Sequence, residues 1–150
     1  MKGVVEYASD SVAHTERLGE ELARGLEPGD VVCLIGELGA GKTSFVRGMA
    51  RALAPDARVK SPSFTLLNVY EGGPLPFYHI DLYRLAGADE LYATGLEDYI
   101  YGKGVCVIEW ADRAEAIVRA CSVVARFSHA GTGRRLLMVE RKAKSKDERV

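Results

Sequence analysis

The sequence lacks the features that mark exported, membrane-spanning or strongly charged proteins. It has three cysteines in 150 residues and a formal net charge of −1. No apolar run approaches the roughly 18 residues of a membrane span, and no signal-peptide core is present, so we expect a cytoplasmic protein with no membrane partner. The balanced charge does not favour DNA binding. Because the cysteines lie in or beside apolar runs, we expect buried thiols.

The residues present predict one α/β domain over residues 1–150, since 47% are hydrophobic and 27% are charged. Periodicity predicts helices over residues 12–26, 43–53, 89–93 and 111–119, with Ser9 or Ser11 as the first N-cap. Strands are predicted over residues 31–35, 64–70, 76–80, 105–108, 122–128 and 134–139. Two strands are continuously apolar, as the strands of a parallel sheet are, and four form hairpins, so the predicted sheet is mixed. We expect it to be mostly parallel, with flanking helices. Residues from about 142 onward form an expected disordered basic tail.

Residues 36–43, GELGAGKT, match the P-loop pattern G-x-x-x-x-G-K-[ST] between a buried strand and an amphipathic helix. A plain turn would need neither the lysine nor the hydroxyl that follows it, and the glycine spacing does not fit a dinucleotide fold. Lys42 is placed to follow the β- and γ-phosphates of ATP, and the Thr43 hydroxyl is placed to coordinate Mg²⁺. The predicted nucleotide-binding residues in this segment are Glu37, Leu38, Gly39, Ala40, Gly41, Lys42, Thr43 and Ser44.

Asp81 and Glu109 are the two acidic residues that directly follow apolar strands. The carboxyl ends of such strands form the ligand crevice of an α/β sheet. Either carboxylate is a candidate metal ligand or orienter of the attacking water, and the sequence does not decide which is nearer the metal. Trp110 follows Glu109 and either packs against the P-loop or belongs to the core.

Residues 61–65, SPSFT, carry hydroxyls around a proline, a pattern that fits either a switch segment over the γ-phosphate or an ordinary turn. Ser61 and Ser63 are therefore candidate nucleotide contacts. His79 has no second histidine or cysteine at ligand spacing, so we expect it to tether neighbouring backbone rather than bind a transition metal.

Five motifs in this order resemble the bacterial TsaE family over essentially the whole chain. They are GELGAGKT at residues 36–43, SPSF at 61–64, HIDLYR at 79–84, GLEDY at 95–99 and IEW at 108–110. The resemblance implies an ATPase that works with TsaB and TsaD to form threonylcarbamoyladenosine beside the tRNA anticodon. It also implies that TsaD transfers the threonylcarbamoyl group to tRNA, while ATP hydrolysis by this chain accompanies repeated cycles of the modification.

Carried over to this sequence, the resemblance implies that Lys42 holds phosphates and Thr43 holds the metal. Residues 61–65 would be the switch, and Asp81, Glu109 and Trp110 would form the hydrolytic side. The chain departs from the family pattern at Ser44 and Ser63, where family members usually have threonine. Both changes keep the hydroxyl but relax its χ1 preference, which affects the fine geometry of the switch.

Two other functions remain open at this stage. A small-molecule kinase is possible because P-loop folds also phosphorylate metabolites, but no arginine-rich lid segment is visible. A nucleic-acid module is suggested by seven Lys or Arg against three Asp or Glu in residues 134–150, so the tail is a candidate tRNA contact within a complex. No arginine is marked as a catalytic finger, so we expect slow turnover alone.

Overall fold

The elements alternate along the chain as expected for parallel strands joined through helices. The computed structural model describes residues 3–37, 39–62 and 64–142. In that part of the chain the strands are β1 (Gly3–Ser9), β2 (Val31–Gly36), β3 (Leu67–Tyr70), β4 (Phe77–Asp81), β5 (Val105–Glu109), β6 (Val123–His129) and β7 (Arg135–Arg141). The α-helices are α1 (Val12–Arg24), α2 (Lys42–Leu53), α3 (Ala88–Ala93), α4 (Glu97–Ile100) and α5 (Glu115–Ala120).

The strands form one seven-stranded sheet in the order β1-β7-β6-β2-β5-β4-β3 within these described ranges. The central strands β6, β2, β5 and β4 pair in parallel. Strands β7 and β3 run antiparallel to their neighbours, and β1 pairs antiparallel with β7. Five of the seven strands therefore point the same way, and the predicted mixed, mostly parallel sheet with flanking helices is confirmed.

Both faces of the sheet are covered because β2 is apolar on both sides. Val32 and Leu34 pack with Phe45 in the core formed with α1 and α2. Cys33 packs with Ile117 in the second core, which includes residues of α3, α4 and α5. All three cysteines are buried free thiols, as predicted. The layers leave the carboxyl ends of β2, β4 and β5 at one edge of the sheet.

Two predicted elements have different boundaries in the structure. Strand β3 starts at Leu67 rather than at residue 64, because Leu66 has a φ of 69° and donates its N–H to Pro62 O at 2.8 Å, which closes a turn. The helix predicted over residues 111–119 is divided into a 3-10 turn, Ala111–Arg113, and α5. Ala114 separates them because its backbone is extended, with φ −137° and ψ 87°.

Strand β1 is an element that the sequence analysis did not predict. It pairs with β7 from Gly3 opposite Arg141 to Ser9 opposite Arg135. Most of its side chains are exposed because it is an edge strand, so it lacks the apolar pattern of the central strands. Helix α1 begins after Ser11, whose side chain accepts the N–H of His14 at 3.0 Å, and Ser11 rather than Ser9 is therefore the N-cap.

The predicted basic tail lies almost wholly outside the described residues. Lys142, its first residue, donates its N–H to Ser122 O at 2.9 Å and its ammonium to Val118 O. Among the residues that the structure describes, no helix combines the length and apolar character needed to span a membrane.

Candidate functional site

The loop between β2 and α2 depends on glycine at two positions. A Cβ on Gly36 would lie 2.7 Å from the carbonyl oxygen of Phe127 on β6. Gly41 precedes α2 with a φ of 102°, in the left-handed region that favours glycine. The helical hydrogen bonds begin with Phe45 N–H to Gly41 O at 3.0 Å, so the N–H groups of residues 42–44 precede that pattern. The start of α2 therefore offers backbone donors to an anion.

A cavity of about 690 Å³ opens beside this end of α2, at the carboxyl edge of the sheet. Its volume is within the range usual for small-molecule sites. Ala40 is buried in the core, and Glu37 lines a neighbouring groove, so their side chains do not line this cavity. Leu38 and Ser63 lie outside the described residues. The other predicted site residues all line the cavity: Gly39, Gly41, Lys42, Thr43, Ser44, Ser61, Asp81, Glu109 and Trp110.

Lys42 is held against its own loop. Its ammonium donates to Gly36 O and, at 3.4 Å, to Glu37 O. It also lies 3.5 Å from the centroid of the Trp110 ring, a cation–π contact. Burial lowers the pKa of Lys42, and the nearby carboxylates of Glu109 and others oppose that effect. Both interpretations of Trp110 are confirmed, because its ring contacts Lys42 of the P-loop and also packs against the second core.

The two candidate carboxylates are neighbours. Asp81 ends β4 and Glu109 ends β5, and they are paired in the parallel register of the two strands. Each is only 3% exposed. The Thr43 hydroxyl donates to Glu109 at 3.3 Å, whereas Asp81 accepts the Tyr83 N–H at 2.8 Å and the Ser61 hydroxyl at 3.4 Å. The P-loop hydroxyl thus faces Glu109, and the 61–65 segment faces Asp81.

The pKa of the Asp81 carboxyl lies above its ordinary value. Burial is the main cause that raises its pKa, and the adjacent Glu109 raises it further. The hydrogen bonds from the Tyr83 N–H and Ser61 and the proximity of His79 act in the opposite direction. A carboxylate with a raised pKa accepts a proton more readily once it is ionised, which suits a group that orients and activates water.

His79 is the main site residue that sequence reasoning missed. Its side chain is fully buried, its Nε2–H donates to Glu109 Oε2 at 2.6 Å, and its Nδ1 lies 3.0 Å from the Tyr70 hydroxyl. The expectation that it tethers backbone is therefore wrong, because both ring nitrogens contact side chains. Tyr70 makes the backbone contacts instead, with Lys60 N–H at 3.2 Å and Lys60 O at 3.1 Å.

Two arginines also line the cavity, although the sequence marked neither. Arg84 follows the HID segment of β4, and its guanidinium lies 4.2 Å from the ring centroid of Phe64, a side chain that is 83% exposed. Arg135 opens β7 and reaches the cavity near the start of α1, where Asp10 and Ser11 are also lining residues. The site therefore holds cationic side chains besides Lys42.

The donor set suits a hard divalent cation shared with phosphate. The Thr43 hydroxyl and the two carboxylates offer only oxygen ligands, which Mg²⁺ prefers. Within the described ranges, no group of three or more His, Cys, Asp or Glu side chains could hold a metal ion by itself. Mg²⁺ usually completes its coordination with water and nucleotide phosphates, so Thr43, Glu109 and Asp81 fit a nucleotide-bound Mg²⁺.

Comparison with known proteins identifies relatives that match most of the chain. The family model described as "Threonylcarbamoyl adenosine biosynthesis protein TsaE" matches residues 9–137. The "tRNA threonylcarbamoyladenosine biosynthesis protein TsaE" of Treponema pallidum (strain Nichols) is 42% identical over 131 residues, which are 87% of this chain and 96% of that protein. The protein of the same name in Aquifex aeolicus (strain VF5) is 36% identical over 145 residues, 95% of this chain and 100% of its own length.

A solved structure is also similar. The crystal structure of Bacillus subtilis YdiB superposes with a TM-score of 0.75 at 31% sequence identity and covers 94% of this chain and 87% of its own. The family match extends from the end of β1 into β7 and so includes the P-loop, both carboxylates and His79. On this evidence the chain belongs to the TsaE family, which acts in tRNA threonylcarbamoyladenosine biosynthesis.

Proposed function

We propose that this protein is an ATPase that binds ATP-Mg²⁺ in the cavity at the start of α2, hydrolyses it slowly, and works with TsaB and TsaD in tRNA modification. The observation that carries the proposal is the convergence of a P-loop lysine and hydroxyl with two buried carboxylates in one cavity. A phosphate chain at the helix start would meet backbone N–H groups and the Lys42 ammonium, and Arg84 also lines the cavity.

The contacts of the two carboxylates support a division of labour between them. Glu109 accepts the Thr43 hydroxyl, so these two residues would hold the Mg²⁺ that offsets charge on the β- and γ-phosphates. Asp81 lies one strand away, beside Ser61 and with a raised pKa, so it would orient the attacking water and receive its proton. The sequence left this choice open, and the different partners of the carboxylates now favour Glu109 as the metal ligand.

The nucleoside would lie on the side of the P-loop where Gly41 faces the start of α1 and β7. A Cβ placed on Gly41 would contact Thr15 at 3.6 Å and Arg135 at 4.0 Å, so the start of α1 and β7 flank the P-loop on that side. Asp10 and Ser11 offer polar groups there. Adenine and ribose have enough hydrogen-bonding atoms to use them.

The partners follow from the family. The Aquifex aeolicus member matches 95% of this chain, and the family description names threonylcarbamoyladenosine biosynthesis. TsaB and TsaD would bind this chain, TsaD would transfer the group, and tRNA would be reached through that complex in the cytoplasm. A small-molecule kinase has no specific observation in its favour, since β6 and β7 are joined by residues 130–134 with no room for a lid.

Steady-state ATP hydrolysis tests the proposal, measured on the chain alone and with its TsaB and TsaD counterparts. Lys42→Ala serves as the blank, and threonylcarbamoyladenosine in tRNA is measured in the same reactions. We expect slow turnover alone, a clear rise with both partners and repeated cycles of modification only with the wild-type chain. ATP binding without turnover in either condition would contradict the proposal, and a phosphorylated small molecule would establish the kinase alternative.

A further inference from the structure

A series of linked hydrogen bonds leads from Thr43 of the P-loop to Lys60, the residue before Ser61. Thr43 Oγ1 donates to Glu109 Oε1 at 3.3 Å, and His79 Nε2–H donates to Glu109 Oε2 at 2.6 Å. On the other side of the ring, the Tyr70 hydroxyl lies 3.0 Å from His79 Nδ1, and Lys60 N–H donates to that hydroxyl at 3.2 Å. Thr43 Oγ1 also lies 3.5 Å from Glu109 Oε2, so this oxygen faces both Thr43 and His79, and His79 is the nearer of the two.

The chemistry of the imidazole fixes which group donates in each of these hydrogen bonds. A carboxylate only accepts hydrogen bonds, so the proton of the short contact is on His79 Nε2. In the neutral ring Nδ1 is then an acceptor, and the Tyr70 hydroxyl donates to it. The Tyr70 oxygen remains free to accept the Lys60 N–H. Lys60 O has a second donor, Asn68 Nδ2 at 2.9 Å, so it stays hydrogen-bonded when the Tyr70 proton is used by His79.

Burial makes this arrangement specific. His79 is fully buried, and Glu109 and Tyr70 are 3% and 7% exposed. A buried carboxylate that lost its donor would carry an uncompensated cost, so His79 limits the side-chain conformations open to Glu109. An apolar residue at position 79 would pack equally well but would leave the Glu109 carboxylate without this donor. The histidine therefore does more than fill the core.

The last hydrogen bond of this series reaches the residue before the predicted switch segment. Lys60 is held through its N–H by the Tyr70 hydroxyl and through its carbonyl by Asn68, and the next residue, Ser61, donates its hydroxyl to Asp81 Oδ2 at 3.4 Å. Residues 60 and 61 are thereby linked to both carboxylates of the site, to Asp81 directly and to Glu109 through two side chains. A movement of this segment would change the support of both.

We propose that His79 is a positioning residue that holds Glu109 against Thr43, and that Tyr70 makes this hold depend on the position of the Lys60–Ser61 segment. The inference rests on the proposed function, because it concerns the divalent cation that Thr43 and Glu109 would bind. His79 is fully buried and does not line the cavity, so it would contact neither nucleotide nor cation. Its effect is confined to where the Glu109 oxygens point.

The proposal separates cation binding from nucleotide binding. Within the described residues, the hydrogen bonds recorded for His79 are to Glu109 and Tyr70, and those recorded for Lys42 are to Gly36 and Glu37. Loss of the His79 contact should therefore weaken the response to Mg²⁺ and leave cation-free ADP binding nearly unchanged. Partners of metal ligands typically contribute 10- to 100-fold to metal affinity.

Two substitutions of His79 divide its contacts. The amide nitrogen of glutamine reaches the place of Nε2, so His79→Gln keeps a donor for Glu109 but loses the Tyr70 contact. The amide of asparagine reaches only the place of Nδ1, so His79→Asn keeps the Tyr70 side and loses Glu109. Tyr70→Phe removes only the hydroxyl. Tyr78→Phe on the same strand is the matched control, since the Tyr78 hydroxyl makes no hydrogen bond recorded within the described residues, while its ring packs on Tyr99.

The measurement uses the fluorescence of Trp110, which is the sole tryptophan and lies on Lys42 in the cavity. ADP is titrated into the full chain in EDTA, and Mg²⁺ is then titrated at saturating ADP. We expect His79→Asn to raise the half-saturating Mg²⁺ concentration at least about tenfold, Tyr70→Phe roughly threefold, and His79→Gln no more than Tyr70→Phe. All variants should bind ADP in EDTA within about twofold of wild type, and Tyr78→Phe should match wild type throughout.

A double variant tests the link. If Tyr70 acts only through His79, then Tyr70→Phe adds nothing to the Mg²⁺ response of His79→Asn. An unchanged Mg²⁺ response in His79→Asn, or an equal loss of cation-free ADP affinity, overturns the proposal. If His79→Asn does not fold, the comparison of Tyr70→Phe with Tyr78→Phe decides it. A wild-type chain that binds no ADP would refute the proposed function itself, which is a different result.

Discussion

Replacing Gly48 by alanine is expected to destabilise the protein, because α1 and α2 approach each other closely at this residue. A Cβ on Gly48 would lie 1.8 Å from the carbonyl oxygen of Glu16 on α1. The contact is reciprocal, since a Cβ on Gly19 of α1 would lie 2.1 Å from Phe45 O on α2. The atoms that the added Cβ would meet are backbone carbonyl oxygens, so no side-chain rotation relieves the clash.

The size of the effect follows from two opposing contributions. Side-chain carbons essentially never approach closer than 3.0 Å, so the helices must separate by at least about 1.2 Å. Overpacking of this kind costs typically 1–3 kcal/mol, whereas alanine in a helix gains about 1 kcal/mol over glycine. Because the clash is with backbone that cannot rotate away, the upper end of the overpacking range applies, and we expect a net loss of about 2 kcal/mol, which lowers Tm by roughly 4–8 °C in a chain of this size. Because α2 begins at Lys42, the displacement should also weaken nucleotide binding.

Thermal unfolding and ADP titration of Gly48→Ala test this expectation against a matched control, Gly25→Ala. Gly25 has a φ of −96°, and its added Cβ would meet only Leu22 O at 3.8 Å. The control should stay within about 0.5 kcal/mol of wild type. If Gly48→Ala were as stable as wild type, or more stable by the helix-propensity gain, the close packing of α1 on α2 would be incorrect.

Three further predictions concern the site. Lys42→Ala should weaken ADP binding by roughly 10- to 100-fold, the loss of a charged hydrogen bond, as measured by Trp110 fluorescence. Glu109→Gln should lower turnover by about 10²- to 10³-fold with cation-free ADP affinity kept, and an equal loss of both would contradict a role in catalysis. The pKa of Asp81 is raised by burial, so its ionised form opposes folding at neutral pH, and this opposition is lost progressively as the pH falls from the raised folded pKa to the unfolded value of about 3.9. Asp81→Asn should therefore raise Tm at neutral pH, by roughly 2–4 °C for each kcal/mol gained, with a gain that disappears towards about pH 4.

The parts of the site that could be predicted are contiguous in the chain. Strand β2, the P-loop and α2 occupy residues 31–53, and a local pattern specifies all three, so Lys42 and Thr43 were placed correctly at the start of a helix. Asp81 and Glu109 were found because each ends an apolar strand and the carboxyl ends of parallel strands share an edge. No long-range information was needed for these predictions.

The contacts that were missed depend on strand register and on edge strands. His79 is paired with Val107, while Asp81 is paired with Glu109, so His79 reaches Glu109 only diagonally across two strands. The sequence indicates both strands but not the offset between them. Arg135 approaches the P-loop because β7 lies beside β6 and β6 beside β2, an order that the chain does not reveal locally. Strand β1 was not predicted because most of its side chains are exposed and it therefore lacks an apolar pattern.

Asp81 and Glu109 lie next to each other, which lowers the stability of the folded protein. This cost is an argument for a cation bound beside them. Two buried carboxylates on neighbouring strands repel each other, and apolar residues in their place would favour folding. A divalent cation held beside Thr43 and Glu109 would relieve that repulsion. Saturating Mg²⁺-ADP, relative to ADP in EDTA, should therefore raise the Tm of wild type more than that of Asp81→Asn, where one charge is already gone. Equal shifts in thermal unfolding of the two proteins would mean that the cation does not lie between these carboxylates and the phosphates.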